Sequence, residues 1–148
     1  MKDWGLINCN PCDTPIGGED VRRESEQLMN AVEATLFRRA AARVNYLSQD
    51  RPDLNVASRL LAMRMAQPRK GDEGILKRVL RYLKGHPRSV YSYYWGGDAS
   101  NLELYIPIVT WVGIWNKRRS TSGGLVFYGG HLVGHWSKLQ NNPAPSSG

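Results

Sequence analysis

At His86-Pro87 the hydrophobic rhythm of the chain changes, and that change limits the fold more than any other feature of the sequence. Before it, apolar residues recur at steps of three and four, the period of an amphipathic helix. After it, β-branched and aromatic residues gather in short runs separated by glycine-rich breaks, the mark of strands and tight turns. Helices first and strands afterwards indicate an α+β fold.

Three helices are predicted in the first half. Asn30 is placed to cap one of them, with Glu33 three residues on completing a capping box. Its apolar stripe is Leu36, Phe37, Ala40, Ala41, Val44 and Leu47. Pro52 suits the first turn of a second helix over about 53–66, which buries Val56, Ala57, Leu60, Leu61 and Met65 and stops before Pro68. A third begins with Asp72 as its cap and ends with Gly85 as its left-handed stop, its apolar side being Ile75, Leu76, Val79, Leu80 and Leu83. Each is too short to be stable alone, so the three form a bundle. Strands are predicted over 89–95 and 102–110 on either side of Gly96-Gly97-Asp98, and over 122–128 and 131–137 around Gly129-Gly130, a two-residue hairpin signal. That turn pairs Tyr128 with His131, Phe127 with Leu132 and Leu125 with Gly134, and gathers Phe127, Leu125, Leu132 and Trp136 on one apolar face. Residues 1–30 read as a connector, 31–87 as the bundle, 88–140 as the β region and 141–148 as a loose tail. No internal repeat is present.

The charge is uneven. Of the formal +7, residues 33–88 carry thirteen basic and five acidic side chains, a net of +8, while residues 1–32 carry three and six, a net of −3. A basic middle third points to a polyanionic partner, most often nucleic acid, against the plain alternative of a solvated helix surface. An apolar share of 41% supports a packed core. No secretory signal follows Met1-Lys2-Asp3, and the longest apolar run, residues 104–115, is too short to span a bilayer. Two cysteines, Cys9 and Cys12, argue against a disulfide framework and for a reducing, intracellular location in cytoplasm or nucleus.

The basic residues fall into two candidate nucleic-acid-binding groups. On the helices, Lys77, Arg78, Arg81 and Lys84 share a face with Tyr82, extended by Arg39, Arg43 and Tyr46; such a face could track a phosphate backbone. Between the strands, Lys117, Arg118, Arg119, Ser120 and Thr121 offer charge and hydroxyl donors to phosphate, with Ser122 next in line. Cys9-Asn10-Pro11-Cys12 has metal-binding spacing but no second cysteine pair. His131 and His135 lie roughly 13 Å apart in a regular strand, beyond shared coordination at about 2 Å per bond. No catalytic or metal-ligating residue is assigned.

Several stretches, in order, resemble the reverse transcriptase region of copia-type retrotransposon polyproteins. Trp4-Gly5-Leu6, Cys9-Asn10-Pro11 and Thr14-Pro15 resemble the segment after the polymerase palm. Phe37-Arg38-Arg39, Asn45-Tyr46-Leu47 and Asp50-Arg51-Pro52-Asp53 resemble the thumb-like helices, and the run from Leu76 through Lys77-Arg78-Val79-Leu80-Arg81-Tyr82-Leu83-Lys84 to Gly85 is the most distinctive match. Trp111, Gly113, Arg118, Ser120-Thr121-Ser122-Gly123, Gly129-Gly130 and Trp136-Ser137-Lys138 resemble the opening of that family's ribonuclease H domain.

The resemblance implies a three-helix thumb-like bundle followed by a partial, mostly antiparallel ribonuclease H-like sheet. It also implies that no catalytic site is carried. The polymerase's paired aspartates belong before the first residue, and no Asp-Asp pair occurs in the chain. Aligned on Trp111 and on Ser120-Thr121-Ser122-Gly123, the two acidic positions of the nuclease hold Ile108 and Thr110, neither of which offers a carboxylate to Mg²⁺, the intact family's metal. Glu103 lies an odd number of residues before Ile108 and so points to the opposite face of a regular strand. The chain stops before the family's next catalytic glutamate. The expectation is a degenerate fragment without its own cofactor, with residual non-specific binding to RNA–DNA or DNA duplex. The alternatives are residual metal-dependent nuclease activity, or a folded remnant that self-associates through an exposed sheet edge.

Overall fold

Asn30 begins the first helix as its sequence requires. Its Oδ1 accepts a hydrogen bond from the Glu33 amide at 2.8 Å, while the Glu33 carboxylate accepts one from the Asn30 amide at 2.9 Å. This box satisfies two of the donors that a helix start otherwise leaves open. The computed structural model describes residues 4–17, 26–95, 102–105 and 121–141, with Thr121 and Leu139 described by backbone alone. The chain forms two units, Met1–Ser89 and Val90–Gly148.

The first unit holds three α-helices, α1 (Ala31–Leu47), α2 (Asn55–Arg64) and α3 (Glu73–Gly85), with 3₁₀ turns at Pro52–Leu54 and Lys70–Asp72. Each helix touches the other two. Phe37, Ala41 and Val44 of α1, Ala57 and Leu61 of α2, and Ile75, Leu76 and Val79 of α3 are buried around Leu54 in one core. Burying a side chain of this size contributes about 1.5–3 kcal/mol, which is what makes three marginal helices stable together. Val56, Leu60 and Met65, expected in that core, are half-buried, and Leu47 is exposed. The fully buried Leu54 takes the inner place, because Pro52 opens a tight turn that swings Leu54 inward before α2 starts.

Two expected helix boundaries are served differently. Asp72 precedes α3, but its carboxylate does not cap that helix. It is fully buried, ion-paired with Arg64, and accepts from the Arg69 amide at 2.9 Å. A buried carboxylate needs such partners to offset its lost hydration. Gly85 is the last residue of α3 rather than a left-handed stop, and the chain turns out at His86 with φ −124°. The reason for glycine there is close approach: a Cβ would come within 3.0 Å of the Pro11 Cβ.

The second unit contains a three-stranded antiparallel sheet, β1 (Leu102–Tyr105), β2 (Thr121–Tyr128) and β3 (His131–Leu139), in the order β1-β2-β3. Gly129 and Gly130 adopt φ 55° and 78°, the positive values that a tight primed turn demands. Tyr128 pairs with His131 and Phe127 with Leu132, as read from the sequence. A bulge at Val133 then displaces the register, so Leu125 faces His135 and Val126 faces Gly134. Because alternate residues point to opposite faces, one extra residue moves everything beyond it to the other side. Trp136 therefore leaves the expected apolar face of Phe127, Leu125 and Leu132 and sits opposite Gly124. A Cβ on Gly124 would fall 2.1 Å from the Trp136 ring, so only glycine leaves room for the indole.

Residues 89–95, read as a strand, carry none. The chain there meets β3 through side chains instead: the Tyr93 hydroxyl donates to the Leu132 carbonyl at 2.8 Å, and His131 Nε2 lies 3.0 Å from the Tyr94 carbonyl oxygen. The later part of the other expected strand, residues 106–110, lies outside the described residues.

Helices and an antiparallel sheet segregated along the chain make the fold α+β. Among the described residues no helix is long and apolar enough to cross a membrane.

Candidate nucleic-acid interface

The basic face of α3 is occupied by the chain's own N-terminal segment. Lys84 Nζ donates to the carbonyls of Ile7 at 2.7 Å and Cys9 at 2.8 Å. Arg81 Nε donates to the Asn10 carbonyl at 2.8 Å. Arg78 reaches the Thr14 carbonyl at 3.2 Å and the Thr14 hydroxyl at 2.9 Å. Residues 4–17, read from the sequence as connector, thus lie along α3 as a strap, and Trp4, Cys12 and Ile16 pack against the helical core. The Cys12 thiol is 3.4 Å from the Arg78 carbonyl oxygen. Nothing periodic marks these residues in the sequence, since a strap held by its carbonyls needs no particular side-chain pattern.

The partners matter electrostatically. A carbonyl uses a donor but cancels no charge, so Arg81 and Lys84 satisfy the strap while leaving their positive potential in place. An arginine offers five donor hydrogens and a lysine three, which leaves several for a further acceptor. Lys77 differs, being paired with Glu73 at 2.8 Å one turn away on the same helix. Tyr82 also departs from its expected place on this face. It is 8% exposed, and its hydroxyl donates to Asp53 at 2.8 Å. An aromatic body with a polar tip satisfies both the core and a buried acceptor, so helical spacing alone did not separate it from its basic neighbours.

Arg39 and Arg43 lie one turn apart on α1, exposed, and neither has an ion-pair or hydrogen-bond partner among the described residues. Like charges at this spacing destabilise a helix by roughly 0.2–0.5 kcal/mol. Both border a cleft of about 170 Å³ whose remaining lining is apolar, with Trp4 from the strap and Leu80 and Leu83 from α3. Tyr46 is exposed on the same helix. Trp4 entered the sequence reading only within the resemblance of Trp4-Gly5-Leu6 and was given no place at a site, because a lone tryptophan in a segment read as connector carries no positional signal.

The most motif-like residues serve the scaffold. Arg51 grips Asp53 with two nitrogens, at 3.0 Å and 2.6 Å, and donates to the His86 carbonyl at 2.9 Å. Its guanidinium stands 5.9 Å from the Tyr82 ring centre, and Tyr82 stacks on His86 at 4.6 Å. The turn before α2 and the end of α3 are thereby tied together. Burial pushes the Asp53 carboxyl up, but the Arg51 and Tyr82 hydrogen bonds outweigh it and hold the group below the ordinary aspartate value. Burial, then the Asp53 hydrogen bond, pushes the Tyr82 phenol above its ordinary value. The hydrogen bond to Asp53 raises the Arg51 guanidinium further still.

Lys117, Arg118, Arg119 and Ser120 lie outside the described residues, as do Ile108 and Thr110. Thr121 opens β2 opposite Leu139. Glu103 is exposed on β1 and accepts from the Tyr105 hydroxyl at 3.0 Å, a contact that raises the phenol. The bulge puts His131 and His135 on opposite faces of the sheet. Cys9 and Cys12 are free thiols. Among the described residues no group of three histidines, cysteines or carboxylates converges as a metal site would.

No protein-family model matches the chain. No solved structure matches it either. Three curated relatives do, all from Arabidopsis thaliana. An uncharacterized mitochondrial protein is 29% identical over 149 aligned residues, covering 99% of this chain and 60% of that protein. The retrovirus-related Pol polyprotein from transposon RE2 is 34% identical over 76% of this chain, and that from transposon RE1 is 31% identical over 96% of it. The chain spans 8% and 10% of those two polyproteins.

Proposed function

We propose, for a chain related to the copia-type retrotransposon Pol polyproteins, a role in gripping duplex nucleic acid without reading its sequence and without a catalytic site of its own. In this reading the helical unit corresponds to the thumb of the polymerase region and the sheet to the opening of the ribonuclease H domain. The observation that carries it is the pair of cations on α3, Arg81 and Lys84, that donate to neutral carbonyls, beside two arginines on α1 with no partner among the described residues. Arg39, Arg43, Lys77, Arg78, Arg81 and Lys84 are the phosphate contacts, and Lys117, Arg118, Arg119, Ser120 and Thr121 add to them. Isoleucine and threonine at positions 108 and 110 do not fit Mg²⁺, which takes oxygen ligands from carboxylates.

The test is binding to DNA and RNA–DNA duplexes across a salt series. Each neutralised phosphate steepens the logarithmic salt dependence by about 0.9. A slope between about −2 and −5 is expected if two to six of the helical cations make contact. Absence of binding at low salt, or binding indifferent to salt, would falsify the reading. Incubation of an RNA–DNA hybrid with Mg²⁺ or Mn²⁺ should yield no cleavage above a metal-free control.

A second reading rests on the sheet. Leu102, Leu104, Tyr128 and Trp136 are 69%, 56%, 47% and 37% exposed on one face, and apolar surface of this kind favours self-association. Light scattering over a concentration series, with and without duplex, separates the two.

A further inference from the structure

We propose that the cleft between α1 and α3 receives one unpaired nucleobase of a nucleic-acid strand, with Trp4 as its stacking partner and Arg39 and Arg43 holding the phosphate beside it. The inference rests on the duplex-binding reading above and adds to it a place for a base outside the double helix.

Size, lining and charge agree on this occupant. The cleft measures about 170 Å³, below the roughly 300–1,000 Å³ of pockets that enclose drug-sized molecules. It therefore admits one flat ring system and not a folded ligand. Its lining is apolar apart from the two guanidinium groups, with Trp4, Ala40, Leu80 and Leu83 among the walls. Such walls offer a base its stacking contact but nothing that would read its hydrogen-bonding edge, so occupancy would be indifferent to sequence. At the rim, Arg39 and Arg43 are exposed, one helical turn apart, and without a partner among the described residues. A planar guanidinium binds phosphate through paired donors, and two of them at this spacing can share one anion. A nucleotide joins a flat apolar ring to an anion within one residue. An aliphatic chain would satisfy the walls and leave the arginines unmet, and an acidic side chain would do the reverse.

The experiment compares, by fluorescence anisotropy with the full chain, a blunt DNA duplex and the same duplex carrying a short single-stranded thymidine overhang. Stacking one base on an aromatic side chain should make the overhang duplex bind about fivefold more tightly or better. Trp4→Leu should bring the ratio of the two affinities to one. Because Trp4 also packs against the core, Ala40→Phe provides a second variant, filling the cleft without altering charge, with its helicity checked by circular dichroism. Equal affinity of the unaltered protein for both duplexes overturns the inference and leaves the duplex reading standing. Binding to the overhang duplex alone supports the inference and removes the duplex reading. Binding to neither overturns both, and a preference that survives in both variants overturns the assignment of the cleft.

Discussion

Asp53 shows how much one carboxylate can organise when three elements converge on it. It receives Arg51 from the same turn and Tyr82 from α3, while Arg51 goes on to the carbonyl of His86. Its carboxyl is held below the ordinary aspartate value, so its ionised form is favoured more in the folded chain than in the unfolded one. The stability it contributes is complete above the unfolded value of about 3.9 and is lost as pH falls through the lower folded value. Asp53→Asn should cost on the order of 1–3 kcal/mol in urea denaturation at neutral pH. The difference from the unaltered protein should shrink as the pH falls from about 5 to about 2. A gap that stays constant over that range would mean that Asp53 acts by shape alone. The sequence offered Asp50-Arg51-Pro52-Asp53 as punctuation and Tyr82 as part of a binding face. The network joining them was not legible, because it closes across 29 residues between Asp53 and Tyr82, and no local period records such a contact.

Among the elements, the helices and the hairpin turn were legible and the strap and the register beyond the bulge were not, for one physical reason. A helix declares itself through repetition, as in the three- and four-residue spacing of Phe37, Ala41 and Val44. The bulge at Val133 depends on where the Trp136 indole finds room above Gly124, a fact about two strands together. The strap depends on donors of α3 meeting carbonyls 64 to 77 residues away in sequence. Replacing Arg81 and Lys84 together by glutamine should release residues 7–10. Limited proteolysis would then cut there faster than in the unaltered chain, while far-UV circular dichroism keeps its helical signal. Equal cleavage rates would show that Arg78 and the packing of Trp4, Cys12 and Ile16 hold the strap without those two cations. The same double variant should flatten the salt dependence of duplex binding by about 1.8, twice the single-phosphate increment.

For the whole molecule, apolar burial is concentrated in one unit. Every residue of the described hydrophobic core belongs to the unit Met1–Ser89, whereas the buried residues described in the sheet are Gly123 and Gly124. Opening free energies follow buried apolar contact, so hydrogen exchange should be slowest in the inward faces of α1 and α3 and markedly faster in β1 and β2. Comparable protection in both units would contradict that distribution. The α+β class was legible at this scale because it needs only the change of rhythm at His86-Pro87. Of the candidate site, the basic residues could be read off the chain one by one, but their engagement with the strap could not. That engagement has an evolutionary consequence. Lys84 and Arg81 hold main-chain oxygens at Ile7, Cys9 and Asn10, atoms that every amino acid supplies. The strap can therefore drift in spelling at those three positions while keeping its path, and what inheritance must preserve for those three contacts is the two cations that make them.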